Sequence, residues 1–140
     1  VVFTNGCFDL LHPGHISLLQ RAKALGDRLV IGLNTDNSIK RIKGLSRPIL
    51  SEQDRAKILA SLDCVDMVAC FDEDTPIELL KLLRPDVLVK GGDYTKSAVV
   101  GAELVESWGG RIELIQLVEG QSTSGIIERI YNNNQKVFTE

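Results

Sequence analysis

Short apolar runs alternate along the chain with longer stretches in which apolar residues recur every three or four positions. The short runs are typical of buried strands, and the periodic stretches are typical of amphipathic helices. Buried strands joined by helices predict a parallel sheet that is covered on both faces. The predicted strands are 1–5, 28–34, 65–71, 86–90 and 111–117, and the predicted helices are 15–26, 51–62, 75–83, 97–109 and 122–133.

Boundary residues support several of these elements. Ser51 and Thr75 are predicted helix N-caps, and Gly26 is predicted to end the first helix. The regular alternation predicts an α/β fold, a Rossmann-like doubly wound five-stranded parallel sheet with the strand order 3-2-1-4-5. We expect a single domain over residues 1–140, with a polar C-terminal tail at 132–140.

Composition narrows the choice of partners and compartment. The chain has 140 residues, 25% charged, and a net charge of −3, which disfavours a nucleic-acid-binding domain. No apolar run is long enough to span a membrane and no leader pattern is visible, so we expect no membrane partner. The three cysteines, Cys7, Cys64 and Cys70, have no metal-site spacing and suit reduced thiols, which favours a cytoplasmic location.

The carboxyl ends of the predicted strands carry most of the polar and glycine-rich segments, and ligands of doubly wound sheets bind at that edge. After the first strand comes "GCFDLLHPGH", which holds both histidines of the chain. His12 and His15 fall at the start of a helix, where backbone N–H groups and the positive end of the dipole favour an anion. The pattern therefore predicts a site for an anion that gains charge in a transition state. The alternative is a helix cap with one buried histidine.

Two segments identify a resemblance. "GCFDLLHPGH" resembles the G-x-F-D-x-x-H-x-G-H signature of the nucleotidyltransferase superfamily that includes the cytidylyltransferases. "EGQSTSGII" resembles the second signature of that superfamily, which usually ends I-S-T-T, with Gln121 and Ser124 as departures. The resemblance implies an enzyme in which His12 and His15 stabilise the α-phosphate of a nucleoside triphosphate during in-line transfer.

The resemblance also implies the remaining site residues. Lys43 and Thr123 join the two histidines as catalytic residues. Arg55 is implied to contact phosphate, although it could equally be a surface partner within its helix. Mg²⁺ is expected to be held mainly by the triphosphate, with no metal ligands from the protein, because the sequence has no cluster of carboxylates at the site. The implied nucleotide-binding residues are Asn5, Gly6, Cys7, Phe8, Gly14, Arg55, Lys90, Gly91, Gly92, Asp93, Gly120, Ser122 and Thr123.

Further segments point to one branch. "FDEDTPIELLKLLRPDVLVKGGDYT" and "LVEGQSTS" are similar to adenylyltransferases that activate D-glycero-β-D-manno-heptose 1-phosphate, an activity often fused to a kinase. The implied substrates are ATP and the heptose phosphate, the implied products are ADP-heptose and pyrophosphate for lipopolysaccharide or surface glycan, and a homo-oligomer such as a dimer is expected. One alternative is a cytidylyltransferase acting on glycerol 3-phosphate or another alcohol phosphate, although Leu117 stands where glycerol-phosphate cytidylyltransferases have arginine. The other is a non-catalytic nucleotide-binding regulatory module.

Overall fold

The protein forms a five-stranded parallel sheet in the computed structural model, which describes residues 1–92, 94–116 and 126–133. The strand order is β3-β2-β1-β4-β5, and every neighbouring pair is parallel. The predicted fold class and strand order are therefore confirmed. The strands are β1 (Val2–Gly6), β2 (Leu29–Asn34), β3 (Met67–Phe71), β4 (Val87–Gly91) and β5 (Arg111–Ile115).

Helices connect the strands and cover both faces of the sheet. Residues 126–133 are also helical, within the predicted helix 122–133, and residues 134–140 lie outside the described part. Within the described ranges, no helix is both long and apolar enough to cross a membrane. The helices are α1 (Pro13–Lys23), α2 (Asp36–Lys43), α3 (Glu52–Ala60), α4 (Ile77–Leu83) and α5 (Ala102–Ser107), with a 3-10 turn at Lys96–Ala98.

Helix α2 is absent from the sequence prediction, which treated the segment after the second strand as a loop. The segment is short and mostly polar, with only two apolar residues, Ile39 and Ile42, so it has the composition of a loop. Its helix depends instead on its ends. Thr35 caps it by accepting a hydrogen bond from the Ser38 N–H, and Gly44, with φ of 104°, ends it.

Three predicted helix boundaries are wrong. Helix α1 ends at Lys23 with Ala24 as its C-cap, so Gly26 lies beyond it. The N-cap of α4 is Pro76, and Thr75 makes no capping bond there. The predicted helix 97–109 is divided, because Gly101 adopts φ of +90° and a Cβ at that position would lie 2.5 Å from Leu80.

Apolar side chains form one core cluster on each face of the sheet. On one face, Leu18 and Leu19 of α1 and Leu59 of α3 pack against side chains of β1, β2 and β4. On the other face, Leu80 of α4 and Val105 of α5 pack against the alternate side chains of the same sheet. Because helices cover both faces of the sheet, the ends of the strands are the parts that stay open.

At the amino-terminal ends of the strands, one carboxylate, that of Asp66, joins several segments of the chain. It accepts hydrogen bonds from the Lys23 ammonium at 2.6 Å, the Leu29 N–H at 2.8 Å and the Arg28 guanidinium at 3.4 Å. These bonds hold the pKa of Asp66 down to about 2. Asp66 therefore links α1, the start of β2 and the turn before β3 at the edge opposite the histidines.

Candidate active site

The two histidines form a reciprocal cap at the start of α1. His12 is the N-cap, and its Nδ1 accepts a hydrogen bond from the Gly14 N–H at 3.1 Å. The Nδ1 of His15 accepts in turn from the His12 N–H at 3.4 Å, an arrangement like a capping box. The imidazole rings are stacked with centroids 3.8 Å apart. The sequence prediction that His15 lies in the first helical turn and His12 just before it is correct.

Both imidazoles are held in the neutral form. Burial lowers the pKa of His12, and burial together with repulsion from His12 lowers the pKa of His15 to about 4, despite a hydrogen bond to the Leu10 backbone that raises it. Because each Nδ1 accepts a backbone N–H, the proton of each neutral ring is assigned to Nε2. Both rings are therefore neutral Nε2–H donors at neutral pH, and in this structure the His15 ring bonds the Leu10 backbone.

This geometry predicts a pH-dependent loss of stability that depends on His15. The unfolded chain binds a proton at His15 near the ordinary pKa of 6.5, whereas the folded protein binds it only near 4. Stability is therefore unaffected above 6.5 and falls as the pH decreases from 6.5 toward 4. Between pH 7 and pH 5, urea unfolding should give a loss about 1 kcal/mol larger for wild type than for His15→Gln, since solvent screens part of the effect at a ring that is only partly buried. Equal losses in both proteins would contradict the lowered pKa.

The turn between β1 and α1 has a strained conformation that places Phe8 beneath the histidines. Phe8 is buried and adopts φ of 45°, an unusual value for a residue with a side chain. Its ring lies 5.3 Å from the His15 ring. A Cβ at Gly6 would lie 3.0 Å from the Phe8 ring, so glycine suits this position. Phe8 thus supports one side of the His15 ring.

The carboxylate of Asp9 anchors the loop that precedes α3. Asp9 is 1% exposed and accepts hydrogen bonds from the backbone N–H groups of Ile49 and Leu50. It also pairs with the Arg47 guanidinium at 3.0 Å. Asp9 therefore acts as an acceptor that orients this loop, and the role of Arg47 was not predicted.

Arg55 is buried rather than on the helix surface. Its guanidinium donates to the carbonyl oxygens of Cys7 and Asn34, both at 2.8 Å, and its Nε donates to that of Leu50 at 3.0 Å. It also pairs with the Asp36 carboxylate at 2.8 Å. The alternative of a surface partner within the helix is therefore wrong. The contact with phosphate stays a prediction, since most of the donors already bind protein.

Lys43 is the last residue of α2 and is exposed. Within the described ranges it forms no hydrogen bond or ion pair. Its positive charge acts on Cys7, because Lys43, Arg55 and Arg47 lower the pKa of that thiol while burial raises it overall. Lys43 therefore lies in the same electrostatic environment as the turn that carries the histidines, with its ammonium available to a ligand.

A small pocket lies on the opposite side of the β1 end from α1. Its volume is about 210 Å³. Asn5 of β1 and Lys90 of β4 contribute to it, together with Asp74, Thr75 and Tyr94. The Lys90 ammonium lies 5.6 Å from the centre of the Tyr94 ring. An open groove of about 510 Å³ that includes His12 shares no lining residue with this pocket.

Several predicted site residues are placed together and others are not described. Asn5 and Gly6 end β1, Cys7 and Phe8 follow in the turn, Gly14 lies between the two histidines, and Gly91 and Gly92 follow Lys90 at the end of β4. In the described part of the chain, no three His, Cys, Asp or Glu residues could hold a metal ion. The roles of all these residues stay predictions. Outside the described residues lie Asp93, Leu117, Gly120, Gln121, Ser122, Thr123 and Ser124.

Comparison with known families decides the class of this site. The family model described as cytidylyltransferase-like matches residues 3–135. The chain belongs to the cytidylyltransferase-like family. It is therefore a nucleotidyltransferase domain, as the two signatures indicated, and the resemblance drawn from them is confirmed.

The curated relatives are longer proteins. The chain is 65% identical over 136 residues to the "Bifunctional protein HldE" of Syntrophotalea carbinolica, covering 97% of this chain and 28% of that protein. It is 62% identical over 130 residues to the protein of the same name from Geobacter sulfurreducens, covering 93% of this chain and 26% of that one. The chain thus spans about a quarter of the length of the curated relatives it matches.

Solved structures agree with the fold. The "lipopolysaccharide core biosynthesis protein" from Thermoplasma volcanium superposes with a TM-score of 0.66 at 30% identity, covering 84% of this chain and 94% of that one. A pantoate-beta-alanine ligase from Francisella tularensis superposes with a TM-score of 0.56 at 21% identity, covering 87% of this chain and 60% of the ligase. The second likeness concerns the fold alone.

Proposed function

We propose that this domain transfers the adenylyl group of ATP to a heptose 1-phosphate, giving ADP-heptose and pyrophosphate for lipopolysaccharide or another surface glycan. The observation that carries the proposal is the stacked pair His12 and His15 at the N-terminus of α1. The name of the Thermoplasma protein and the branch-specific segments of the sequence support the class of product.

The reaction requires little covalent chemistry from the protein. An oxygen of the acceptor phosphate attacks the α-phosphorus of ATP, the bond to the bridging oxygen breaks, and pyrophosphate leaves with its electron pair. Positioning and electrostatic stabilisation contribute most of the rate enhancement in such transfers. His12 and His15 donate from Nε2 to the α-phosphate oxygens as they gain charge, while Lys43 steadies the phosphates that leave.

The pocket that includes Lys90 suits the acceptor. Its volume of about 210 Å³ is below the range of about 300–1,000 Å³ for larger ligands, so a sugar ring fits it better than a whole nucleotide. Lys90 supplies a cation for the phosphate. Asn5, Asp74 and Thr75 supply acceptors and donors for hydroxyl groups. An acceptor there would approach the α-phosphorus from the side opposite the histidine groove.

Mg²⁺ would enter with the triphosphate. The nearest buried carboxylate to the turn, Asp9, is already occupied by Arg47 and two backbone N–H groups. The described residues therefore favour an ion held by phosphate oxygens and water. When bound, the ion neutralises charge on the triphosphate and on the departing pyrophosphate.

The substrate proposal is tested by pyrophosphate release from a matrix of triphosphates and acceptors. We expect kcat/KM to be roughly tenfold to a hundredfold higher for ATP than for CTP, because a wrong base leaves buried polar groups unpaired. Gly91 and Gly92 are the proposed backbone contacts to the base. D-glycero-β-D-manno-heptose 1-phosphate should exceed glycerol 3-phosphate as the acceptor. Preference for CTP with glycerol 3-phosphate would instead establish the cytidylyltransferase alternative.

ATP binding without pyrophosphate release from any acceptor would favour the regulatory-module alternative.

The free thiols of Cys7, Cys64 and Cys70 suit a reducing compartment, and we propose a cytoplasmic location. A homo-oligomer such as a dimer is likewise a proposal, which sedimentation of the purified protein measures.

A further inference from the structure

Arg55 joins three segments that are far apart in the sequence. Its side chain is 0% exposed, and its four hydrogen bonds reach the turn after β1, the region where β2 meets α2, and the loop after α2. An arginine that is this buried costs free energy unless its donors are satisfied. Here four donors point to carbonyl or carboxylate oxygens, so the guanidinium serves as a fixed junction.

Two of the four bonds hold the start of helix α2. Arg55 bonds the carbonyl of Asn34, which precedes the helix, and the carboxylate of Asp36, its first residue. A third bond, to the carbonyl of Leu50, holds the loop that leads from α2 into α3. The helix ends on Lys43, whose own side chain is exposed and makes no hydrogen bond or ion pair to the described residues. The position of Lys43 therefore depends on how the start of this short helix is anchored.

The fourth contact connects this anchor to the histidine turn. Arg55 donates to the carbonyl of Cys7 at 2.8 Å, two residues before Asp9, which itself bonds the backbone of Leu50. Phe8, between them, contacts the His15 ring. One guanidinium thus links the helix that ends on Lys43 to the turn that carries His12 and His15.

We propose that Arg55 is a positioning residue that sets Lys43 against the histidine pair, and that its effect on catalysis passes through Lys43. The inference rests on the proposed function for the role of Lys43. A misplacement of about 1 Å can cost on the order of 10²-fold in rate, so an anchor that shifts Lys43 can change catalysis without itself contacting a reacting atom.

A double-mutant cycle tests the proposal, with Arg55→Lys, Lys43→Met and the double variant. Lysine keeps the charge of Arg55 but carries its donors on a single nitrogen, so it cannot reproduce the four separate hydrogen bonds of the guanidinium. The cycle is measured on kcat and, separately, on the dissociation constant of ATP with Mg²⁺ and no acceptor. We expect Arg55→Lys to lower kcat by about 10–100-fold and to weaken ATP binding severalfold. In the Lys43→Met background, the same change should cost less than about threefold in either quantity.

Additive losses in the two backgrounds would overturn the proposal, because they would mean that Arg55 acts independently of Lys43. An undiminished kcat and ATP affinity in Arg55→Lys would overturn it as well. If the wild type binds ATP but transfers nothing, the proposed function fails, and the cycle on ATP affinity still decides the role of Arg55. Absence of ATP binding would overturn both.

A milder variant and a control variant separate a specific effect on catalysis from a general loss of folding. Asp36→Asn weakens one bond of the junction and leaves Arg55 in place, and it should show a smaller loss that is likewise removed by Lys43→Met. Lys23→Met breaks the ion pair with Asp66 at the opposite edge and should leave kcat unchanged. Urea unfolding confirms that each variant is folded at the assay temperature. A fall in kcat for Lys23→Met equal to that of Arg55→Lys would mean that general destabilisation explains both, which overturns the proposal.

Discussion

Replacing His15 by alanine is expected to lower kcat by about 10²–10³-fold while changing the dissociation constant of ATP by less than about threefold. Negative charge on the α-phosphate oxygens is greatest in the transition state, so a donor aimed at them contributes more there than in the bound ground state. Steady-state pyrophosphate release gives kcat, and titration with ATP in the absence of acceptor gives the dissociation constant.

The control for this variant lies on the same helix. Arg21→Ala changes an exposed residue of α1 that lies outside the groove of His12 and should leave kcat unchanged. His15→Ala also removes an acceptor from the His12 N–H, which costs about 0.5–2 kcal/mol of stability, so urea unfolding is measured alongside. Equal weakening of ATP binding and of kcat/KM, with kcat intact, would mean that His15 only binds the ground-state substrate.

Replacing Asp9 by alanine is expected to lower the free energy of unfolding by about 3–5 kcal/mol, the typical cost of removing one partner of a buried pair. The change leaves the Arg47 guanidinium without its carboxylate and the N–H groups of Ile49 and Leu50 without their acceptor. Urea denaturation of both proteins at pH 7 measures the difference.

An exposed aspartate provides the matched comparison. Asp74 pairs with Arg41 at 3.1 Å, but its side chain is 72% exposed, so Asp74→Ala should cost less than about 1 kcal/mol. If Asp9→Ala cost no more than Asp74→Ala, water would be replacing the lost acceptor, and the loop before α3 would not depend on Asp9.

The sheet could be predicted from the sequence because the pattern that indicates a strand is local and is repeated along the chain. Each strand is a short apolar run, and alternation with helices leaves few possible topologies. Helix α2 was not predicted because its eight residues include only two apolar ones, Ile39 and Ile42, and a segment this short and polar is typical of a loop. Its start depends on Thr35 and on Glu52, which accepts from the Asp36 N–H, and that second contact joins residues 16 positions apart.

The same distinction separates the predicted and unpredicted parts of the site. The histidine pair was predictable because three residues of spacing place both rings at one helix start. The junction that Arg55 forms was not predictable, because its acceptors lie between 5 and 48 positions away in the sequence and only the folded chain brings them together. The role of Arg47 was missed for a similar reason, since its carboxylate partner is 38 positions away.

The cluster around Asp66 has a consequence for how such a domain can diversify. Its bonds to Lys23, Arg28 and Leu29 hold the sheet together at the edge where no substrate is proposed to bind. Mutations in the loops of the other edge can therefore accumulate while this junction continues to support the scaffold. An engineer seeking a new sugar nucleotide could first strengthen the Asp66 edge and then randomise the pocket around Lys90, where the destabilising cost of new specificities would be tolerated.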